Sequence, residues 1–177
     1  TGRWKQLEKL SHQMVSVYSL TDTREALASL YTHYLGRIMY SQTRYDKCEF
    51  YNQESMRLLK GRENSRISVL TQIRQGLLLQ EANRYKEAQA VLERAELQNK
   101  KIGDRHISAT NSIYLGTISR KLGNDDRAQE LFHQAIATYA DRDCYPRALK
   151  HLAVMKHEEG NDDAARNMLH RAFAVED

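Results

Sequence analysis

Small and apolar residues recur along this chain at the spacing of one face of an α-helix. Three stretches show the pattern most clearly: Ala88, Val91, Leu92 and Ala95; Ala128, Leu131, Phe132, Ala135 and Ile136; and Ala165, Met168, Leu169, Ala172 and Phe173. Residues three and four positions apart lie on the same side of a helix. Each stretch is therefore predicted to be a helix that buries a single face.

Extended along the whole chain, the pattern predicts nine helices joined by short turns. Their predicted bounds are 3–19, 23–41, 44–60, 64–82, 84–101, 104–122, 124–140, 145–159 and 161–175. Glycines 61, 103, 123 and 160 stand where helices should end. Asn124 and Asn161 are suited to cap the helices that follow them, and Asp22 with Glu25 has the spacing of a capping box.

A turn followed by a small residue returns about every 40 residues. An arginine and an aromatic residue mark this turn at Arg3-Trp4, Arg44-Tyr45 and Arg84-Tyr85. A second set of small residues, Gly36, Gly76, Gly116 and Ala153, precedes the later turns at a constant distance. Small residues held in such a register indicate that two helices approach closely. Each repeat is therefore interpreted as a helical hairpin.

Hairpins of this kind cannot bury their apolar faces alone, so we expect them to stack. The predicted fold is all-α, a right-handed superhelical solenoid of antiparallel helix hairpins, in one domain over residues 1–177. It consists of a leading helix at 3–19 and repeats at 23–61, 64–102, 104–141 and 145–175. A single proline and eight glycines are too few turn-forming residues for a sandwich or barrel of short strands.

Charge and cysteine content narrow the function classes. Lys and Arg total 27 against 23 Asp and Glu, a net charge of +4 without a concentrated basic stripe, which argues against a nucleic-acid partner. No apolar run is long enough to span a membrane, so a membrane partner is not expected either. Cys48 and Cys144 lie far apart without metal-ligand spacing, which favours a cytoplasmic protein. Cys48 is predicted to be packed, and Cys144 to be more exposed in a polar connector.

No motif in the sequence satisfies an enzyme template. It contains no glycine-rich phosphate loop and no nucleophile elbow, and His157-Glu158-Glu159 lacks the second histidine of a zinc-protease helix. We therefore expect a non-enzyme with no catalytic residues, no cofactor and no metal.

The residues Tyr114, Leu115 and Gly116, followed by Gly123, Ala128, Phe132 and Ala135, resemble the tetratricopeptide repeat signature. The other units are similar, although Asn52 and Ser55 dilute the apolar face of the first one. The period exceeds the usual value of about 34 residues. Together with Gly103-Asp104-Arg105, it is similar to longer repeats in bacterial signal-transduction regulators and eukaryotic polarity adaptors.

The resemblance implies that the first helix of each hairpin lines a concave groove for a partner protein or peptide. The groove residues it implies are His33, Arg37, Tyr40, Arg74, Gln80, Tyr114, Thr117, Arg120, Lys121, Arg147, Lys150, His151 and His157. Cationic and aromatic side chains suit an acidic peptide. For any single one of these residues a solvated polar helix face is the better explanation, whereas the alignment of several cations on one concave surface favours a binding groove. The alternative function is a ligand-sensing or signal-peptide-sensing regulatory arm of a multidomain signalling protein or transcription regulator.

Two further expectations concern the ends of the chain. It opens on the turn of a repeat without an initiator methionine, which predicts a fragment of a longer protein. End helices of a solenoid carry one uncovered face, which predicts self-association. The residues expected on these faces are Trp4, Leu7, Leu10 and Met14 at one end, and Met168, Leu169 and Phe173 at the other.

Overall fold

The computed structural model describes residues 2–18, 24–62, 64–139 and 144–174. Every regular element in them is helical, and they form nine helices. The helices are α1 (Gly2–Tyr18), α2 (Arg24–Ser29, a π-helical Leu30–Gly36 and Arg37–Ser41), α3 (Tyr45–Leu58), α4 (Arg66–Glu81), α5 (Tyr85–Ile102), α6 (Arg105–Lys121), α7 (Asp125–Thr138), α8 (Cys144–Glu158) and α9 (Asp162–Phe173). The predicted all-α class and the nine helices are confirmed.

Four hairpins follow the leading helix α1: α2 with α3, α4 with α5, α6 with α7, and α8 with α9. The second helix of each hairpin packs against the first helix of the next. First helices also contact each other directly, α2 with α4, α4 with α6 and α6 with α8. Elements on the inner side of a curved stack are the more closely spaced ones, so the first helices line the concave face.

The predicted helix ends agree with the structure where they are described. Asn124 accepts a hydrogen bond from the backbone N–H of Arg127 at 3.4 Å, and Asn161 accepts one from Ala164 at 3.2 Å. Gly103 ends α5 with a φ of 77°, a backbone conformation that side chains with a Cβ rarely adopt. Asp22 lies outside the described residues.

Two of the small-residue markers sit where helices approach closely. A Cβ built on Gly76 would lie 2.6 Å from the Leu92 side chain, and one on Gly116 would lie 2.6 Å from the Phe132 ring. Both partners are fully buried on the second helix of the same hairpin. The interpretation of these glycines as sites of close helix packing is confirmed.

Gly36 has a different reason to be glycine. Its Cβ would lie 2.9 Å from the backbone oxygen of Tyr31, in its own helix. This contact arises because residues 30–36 form a π-helix, whose wider turn brings the carbonyl of residue i−5 close. The interpretation of Gly36 as a contact between two helices is therefore wrong: the π-helical turn, and not a neighbouring helix, occupies that space.

The first hairpin has a polar core. The hydroxyls of Thr32, Ser55 and Thr71 lie within 2.8 to 3.1 Å of each other, and Ser55 also donates to the carbonyl of Ala28 at 3.0 Å. Asn52 is fully buried beside them. Asn52 and Ser55, which dilute the helix pattern, therefore face the core and not the solvent.

Both cysteines are free and fully buried. Cys48 occupies the position of Ala88 in the following hairpin, as predicted, and burial raises the pKa of its thiol to about 11. The expectation that Cys144 is more exposed is wrong. Cys144 is the first residue of α8, and its sulfur packs in the core between α6 and α8, 3.4 Å from Thr110 Oγ1.

Candidate functional site

All thirteen predicted groove residues lie on the four first helices, α2, α4, α6 and α8. They are not equally accessible. Arg37, Lys121 and His157 are exposed, whereas the other ten are half-buried among their neighbours. The concave face therefore combines ten half-buried side chains, which their neighbours hold in place, with three exposed ones.

Two arginine–tyrosine stacks lie among the half-buried side chains. The guanidinium carbon of Arg74 on α4 lies 5.4 Å from the centre of the Tyr40 ring on α2. That of Arg147 on α8 lies 5.1 Å from the centre of the Tyr114 ring on α6. Each stack joins the first helices of adjacent hairpins. A guanidinium held over a ring keeps its planar N–H donors in a fixed orientation.

Glu81, at the end of α4, anchors the first stack. Tyr40 Oη donates a hydrogen bond to Glu81 Oε1 at 2.7 Å, and Tyr45 Oη donates to Oε2 at 3.1 Å. Burial, followed by the bond to Glu81, raises the pKa of Tyr40 above its ordinary value. Tyr40 therefore stays a neutral donor. Sequence reasoning missed Glu81, because nothing in its local pattern relates it to Tyr40.

His33 lies beside an open pocket of ≈ 420 Å³ between α2 and α4. Arg37 and Arg66 also line this pocket, and Arg66 binds Asp104 at 2.7 Å. Burial and then the charges of Arg66, Arg74 and Arg37 lower the pKa of His33. The imidazole is consequently neutral near pH 7, in a region where positive charge is already concentrated.

His151, on α8, is the second half-buried histidine of the concave face. Its ring stacks on the Phe132 ring at 4.8 Å, with the two planes nearly parallel. Burial, then the charges of Arg147 and Arg120, lower the pKa of this histidine as well. Because its ring covers the core, His151 contributes shape to the groove more than charge.

Several other predicted residues already have partners within the fold. Arg120 binds Glu158 and lies 3.6 Å from Asp125 Oδ1. His157 Nδ1 lies 2.6 Å from Asp162 Oδ1. These two side chains are therefore partly neutralised.

Lys150 and Thr117 are also engaged within the fold. Lys150 Nζ lies 5.0 Å above the Phe173 ring. Thr117 Oγ1 donates back to the carbonyl of Ile113 at 3.0 Å, so its hydroxyl proton is used within α6.

Gln80 is different, because its Oε1 is buried and has no hydrogen-bond partner among the described residues. It lies on α4, next to the Glu81 that anchors Tyr40.

Within the described residues, no group of His, Cys, Asp and Glu side chains is arranged to hold a metal ion. None of the described helices combines the length and the apolar character needed to cross a bilayer.

No protein-family model and no curated protein matches this sequence. The fold is similar to solved structures, among them the crystal structure of BtubC (BKLC) from P. vanneervenii, with a TM-score of 0.78 and 15% sequence identity. The match covers 99% of this chain and 74% of that one. A similarity at this level of identity concerns the arrangement of the helices alone.

The uncovered ends agree with the expected positions where these are described. Leu10 and Met14 on α1 are exposed, and so are Leu169 and Phe173 on α9. Met168 is half-buried and packs on the core of the last two hairpins. The side chains of Trp4 and Leu7 lie outside the described residues. Self-association stays a prediction.

Proposed function

We propose that this protein is a non-catalytic binding module that recognises an acidic segment of a partner protein in the concave groove. Its repeats are tetratricopeptide-like, and the first helices supply the contacts. The observation that carries the proposal is the pair of arginine–tyrosine stacks, Arg74 on Tyr40 and Arg147 on Tyr114.

The physical basis is a preformed surface. A tyrosine ring provides a large contact area and loses little conformational entropy when a partner binds. A guanidinium oriented by such a ring presents two parallel N–H groups to a carboxylate. Because both groups are positioned before binding, less ordering free energy opposes association.

Charge supports an acidic partner. Arg37, Arg66 and Arg74 surround His33 closely enough to lower its pKa. Arg147 and Arg120 do the same at His151. Arg66 already binds Asp104 and Arg120 already binds Glu158, so a bound anion would offset the like-charge repulsion that these two ion pairs leave. A carboxylate-rich segment across the first helices relieves this repulsion at both ends of the groove.

The test is selection from a random peptide library displayed on phage. We expect the wild-type protein to enrich segments rich in Asp and Glu, with aromatic or aliphatic residues between them. Replacement of both stacked cations, Arg74→Gln and Arg147→Gln, should reduce the affinity of enriched peptides by roughly a hundredfold, since charged hydrogen bonds each contribute on the order of 1.5 kcal/mol.

The matched control is Arg127→Gln on α7. Arg127 is exposed, and it binds Glu130 on its own helix, outside the groove. This variant removes one positive charge without changing a first helix, so the selected peptides should bind it as they bind the wild type. Equal loss of affinity in control and groove variants would mean that only net charge matters, and the groove would be rejected.

A ligand-sensing arm is the second candidate, and the pocket beside His33 is the observation that favours it. In this function a small anion or signal peptide in the groove shifts the equilibrium of an effector domain elsewhere in a longer protein. A small anion should then raise the melting temperature without any partner protein. A melting temperature that responds only to peptides favours the scaffold.

A further inference from the structure

A second pocket, of ≈ 440 Å³, opens away from the groove, where α3 ends and α4 and α5 pass. Its volume falls in the range of about 300 to 1,000 Å³ that is typical of small-molecule sites. Met56 and Leu59 form an apolar wall, and the buried residues Ser68 and Gln72 form a polar floor. Neither the repeat pattern nor the proposed groove accounts for a cavity at this place.

The floor of this pocket contains an unsatisfied acceptor. Gln72 is only 7% exposed, and its Nε2 donates to Gln98 Oε1 at the pocket edge. Its Oε1 is buried and accepts no hydrogen bond from any described residue. A buried acceptor without a donor destabilises the fold. A ligand with a hydroxyl or N–H group would supply the missing donor.

The wall of the pocket is positively charged. Arg57, Lys60 and Arg94 line it, and its described lining contains no acidic side chain. Arg57 binds Glu54 of its own helix at 2.9 Å. Lys60 and Arg94 form no ion pair with the described part of the chain. The electrostatic surroundings therefore favour an anion.

The next repeat carries a carboxylate at this position. Glu96 on α5 stands one repeat after Met56, and its carboxylate accepts hydrogen bonds from Ser108 and, at 3.3 Å, from Asn111. Ser108 is in turn the counterpart of Ser68, whose hydroxyl has no partner among the described residues. The pocket at that junction measures only ≈ 170 Å³. The cavity is therefore small where α5 supplies the carboxylate of Glu96, and large where α3 carries Met56 instead.

We propose that the pocket between α3, α4 and α5 binds a small organic acid. Its carboxylate takes the place that the Glu96 side chain takes one repeat later, near Ser68 and Arg94. Its hydroxyl or N–H group donates to Gln72 Oε1, and its short apolar part packs against Met56 and Leu59. This site is separate from the concave groove and does not depend on the function proposed there.

The test uses two acids that differ in a single donor, α-hydroxyisocaproate and isocaproate, with sulfate as an inorganic control at equal ionic strength. Binding to the full chain is measured by calorimetry and by thermal shift. We expect the hydroxy acid to bind and to raise the melting temperature, and isocaproate to bind roughly tenfold more weakly for want of one hydrogen bond.

Two variants place the binding in this pocket. Met56→Glu supplies the missing carboxylate from the chain itself, so it should abolish binding of the acid and raise the melting temperature of the unliganded protein. Arg94→Gln introduces the residue that Gln134 provides one repeat later, and should weaken binding roughly tenfold. Arg127→Gln, with the same loss of charge on α7, should bind the acid like the wild type.

Three results would overturn the proposal. The first is the absence of binding of either acid to the wild-type chain. The second is binding that Met56→Glu and Arg94→Gln leave unchanged, which would locate the acid elsewhere, for example in the groove. The third is loss of binding in the groove variants Arg74→Gln and Arg147→Gln alone. Arg94→Gln changes an exposed side chain, so it tests the site even if the Met56 variant does not fold.

Discussion

The first hairpin, α2 with α3, and the third, α6 with α7, share one architecture but have opposite cores. In the third, Gly116 lets the Phe132 ring pack directly against α6, and Ala135 lies in the same apolar cluster. In the first, the positions of Phe132 and Ala135 are taken by Asn52 and Ser55, which are equally buried. Dispersion contacts thus hold the third hairpin together, whereas hydrogen bonds hold the first.

The polar core of the first hairpin lies beside a π-helix. An apolar core fixes the register of two helices by close packing, as Gly76 and Leu92 do in the second hairpin. A hydroxyl cluster fixes it by the directions of its hydrogen bonds instead. The π-helical Leu30–Gly36 places Thr32 within 2.8 Å of Ser55 and of Thr71 on the next hairpin. We expect the first hairpin to be less stable and the more easily deformed of the two.

Phe132→Ala should have the largest effect on this comparison. It removes a fully buried ring, together with its stacking on His151, and should lower the free energy of unfolding by about 3 to 5 kcal/mol. The matched change in the first hairpin, Asn52→Ala, should cost much less, since it removes one hydrogen bond to Gln75. Urea denaturation followed by circular dichroism measures both. Equal losses would mean that the two cores are energetically alike.

The helices of both hairpins could be predicted from the sequence, but only the core of the third hairpin could. Gly116, Phe132 and Ala135 form a local pattern that specifies both helix and partner. The hydroxyl cluster cannot be predicted in this way, because Thr32, Ser55 and Thr71 are individually unremarkable polar residues and meet only after the hairpins stack.

In the candidate groove, too, the sequence predicts helix positions but not the contacts between repeats. The sequence placed the candidate residues on the correct helices, because the helix period fixes which positions share a face. It could not show that Arg120 binds Glu158, or that Glu81 anchors Tyr40, since these contacts join residues about one repeat apart. Nor could it show the pocket beside Met56, which lies where the next repeat has the carboxylate of Glu96.

Ser55→Ala gives the next largest expected effect. It installs the alanine of the third hairpin but removes the hydroxyl that bonds the carbonyl of Ala28 and both threonine hydroxyls, which keep only the bond to each other and that of Thr71 to Ile67, at a cost of about 1 to 2 kcal/mol. The reverse change, Ala135→Ser, buries a hydroxyl in an apolar core and should cost about 1 kcal/mol. Thermal unfolding of both variants measures this. A stabilised Ser55→Ala protein would show that the cluster does not hold the hairpin.

Asn52→Leu should have a smaller effect, in the opposite direction. Asn52 Oδ1 is buried without a hydrogen-bond partner, and leucine is the residue at this position in the second hairpin. The half-buried Gln75 can bind water in its place, so we expect stabilisation of up to about 1 kcal/mol. Leu92→Asn is the matched reverse and should destabilise strongly. A large loss of stability in Asn52→Leu would mean that the polar core cannot accept an apolar side chain.

The smallest expected effect concerns two histidines. His33 lies in the first hairpin, and His151 on α8 stacks on Phe132 of the third hairpin. Burial and neighbouring arginines lower both pKa values in the folded protein, so the unfolded chain binds protons first as the pH falls. Stability should therefore decrease as the pH drops below the ordinary histidine pKa of about 6.5, and level off below the folded values. His33→Gln and His151→Gln should each flatten this dependence.

The affinity for an acidic partner should depend on pH in the opposite direction to the stability of the free protein. A carboxylate placed among Arg37, Arg66 and Arg74 offsets the charges that hold the His33 pKa down, so the bound protein takes up a proton that the free protein does not. Affinity should then rise as the pH falls from about 7 to about 6, while the stability of the free protein falls. Calorimetry in two buffers of different ionisation enthalpy counts the protons. Binding without proton uptake would place the acidic segment away from both histidines, and therefore away from the two ends of the groove.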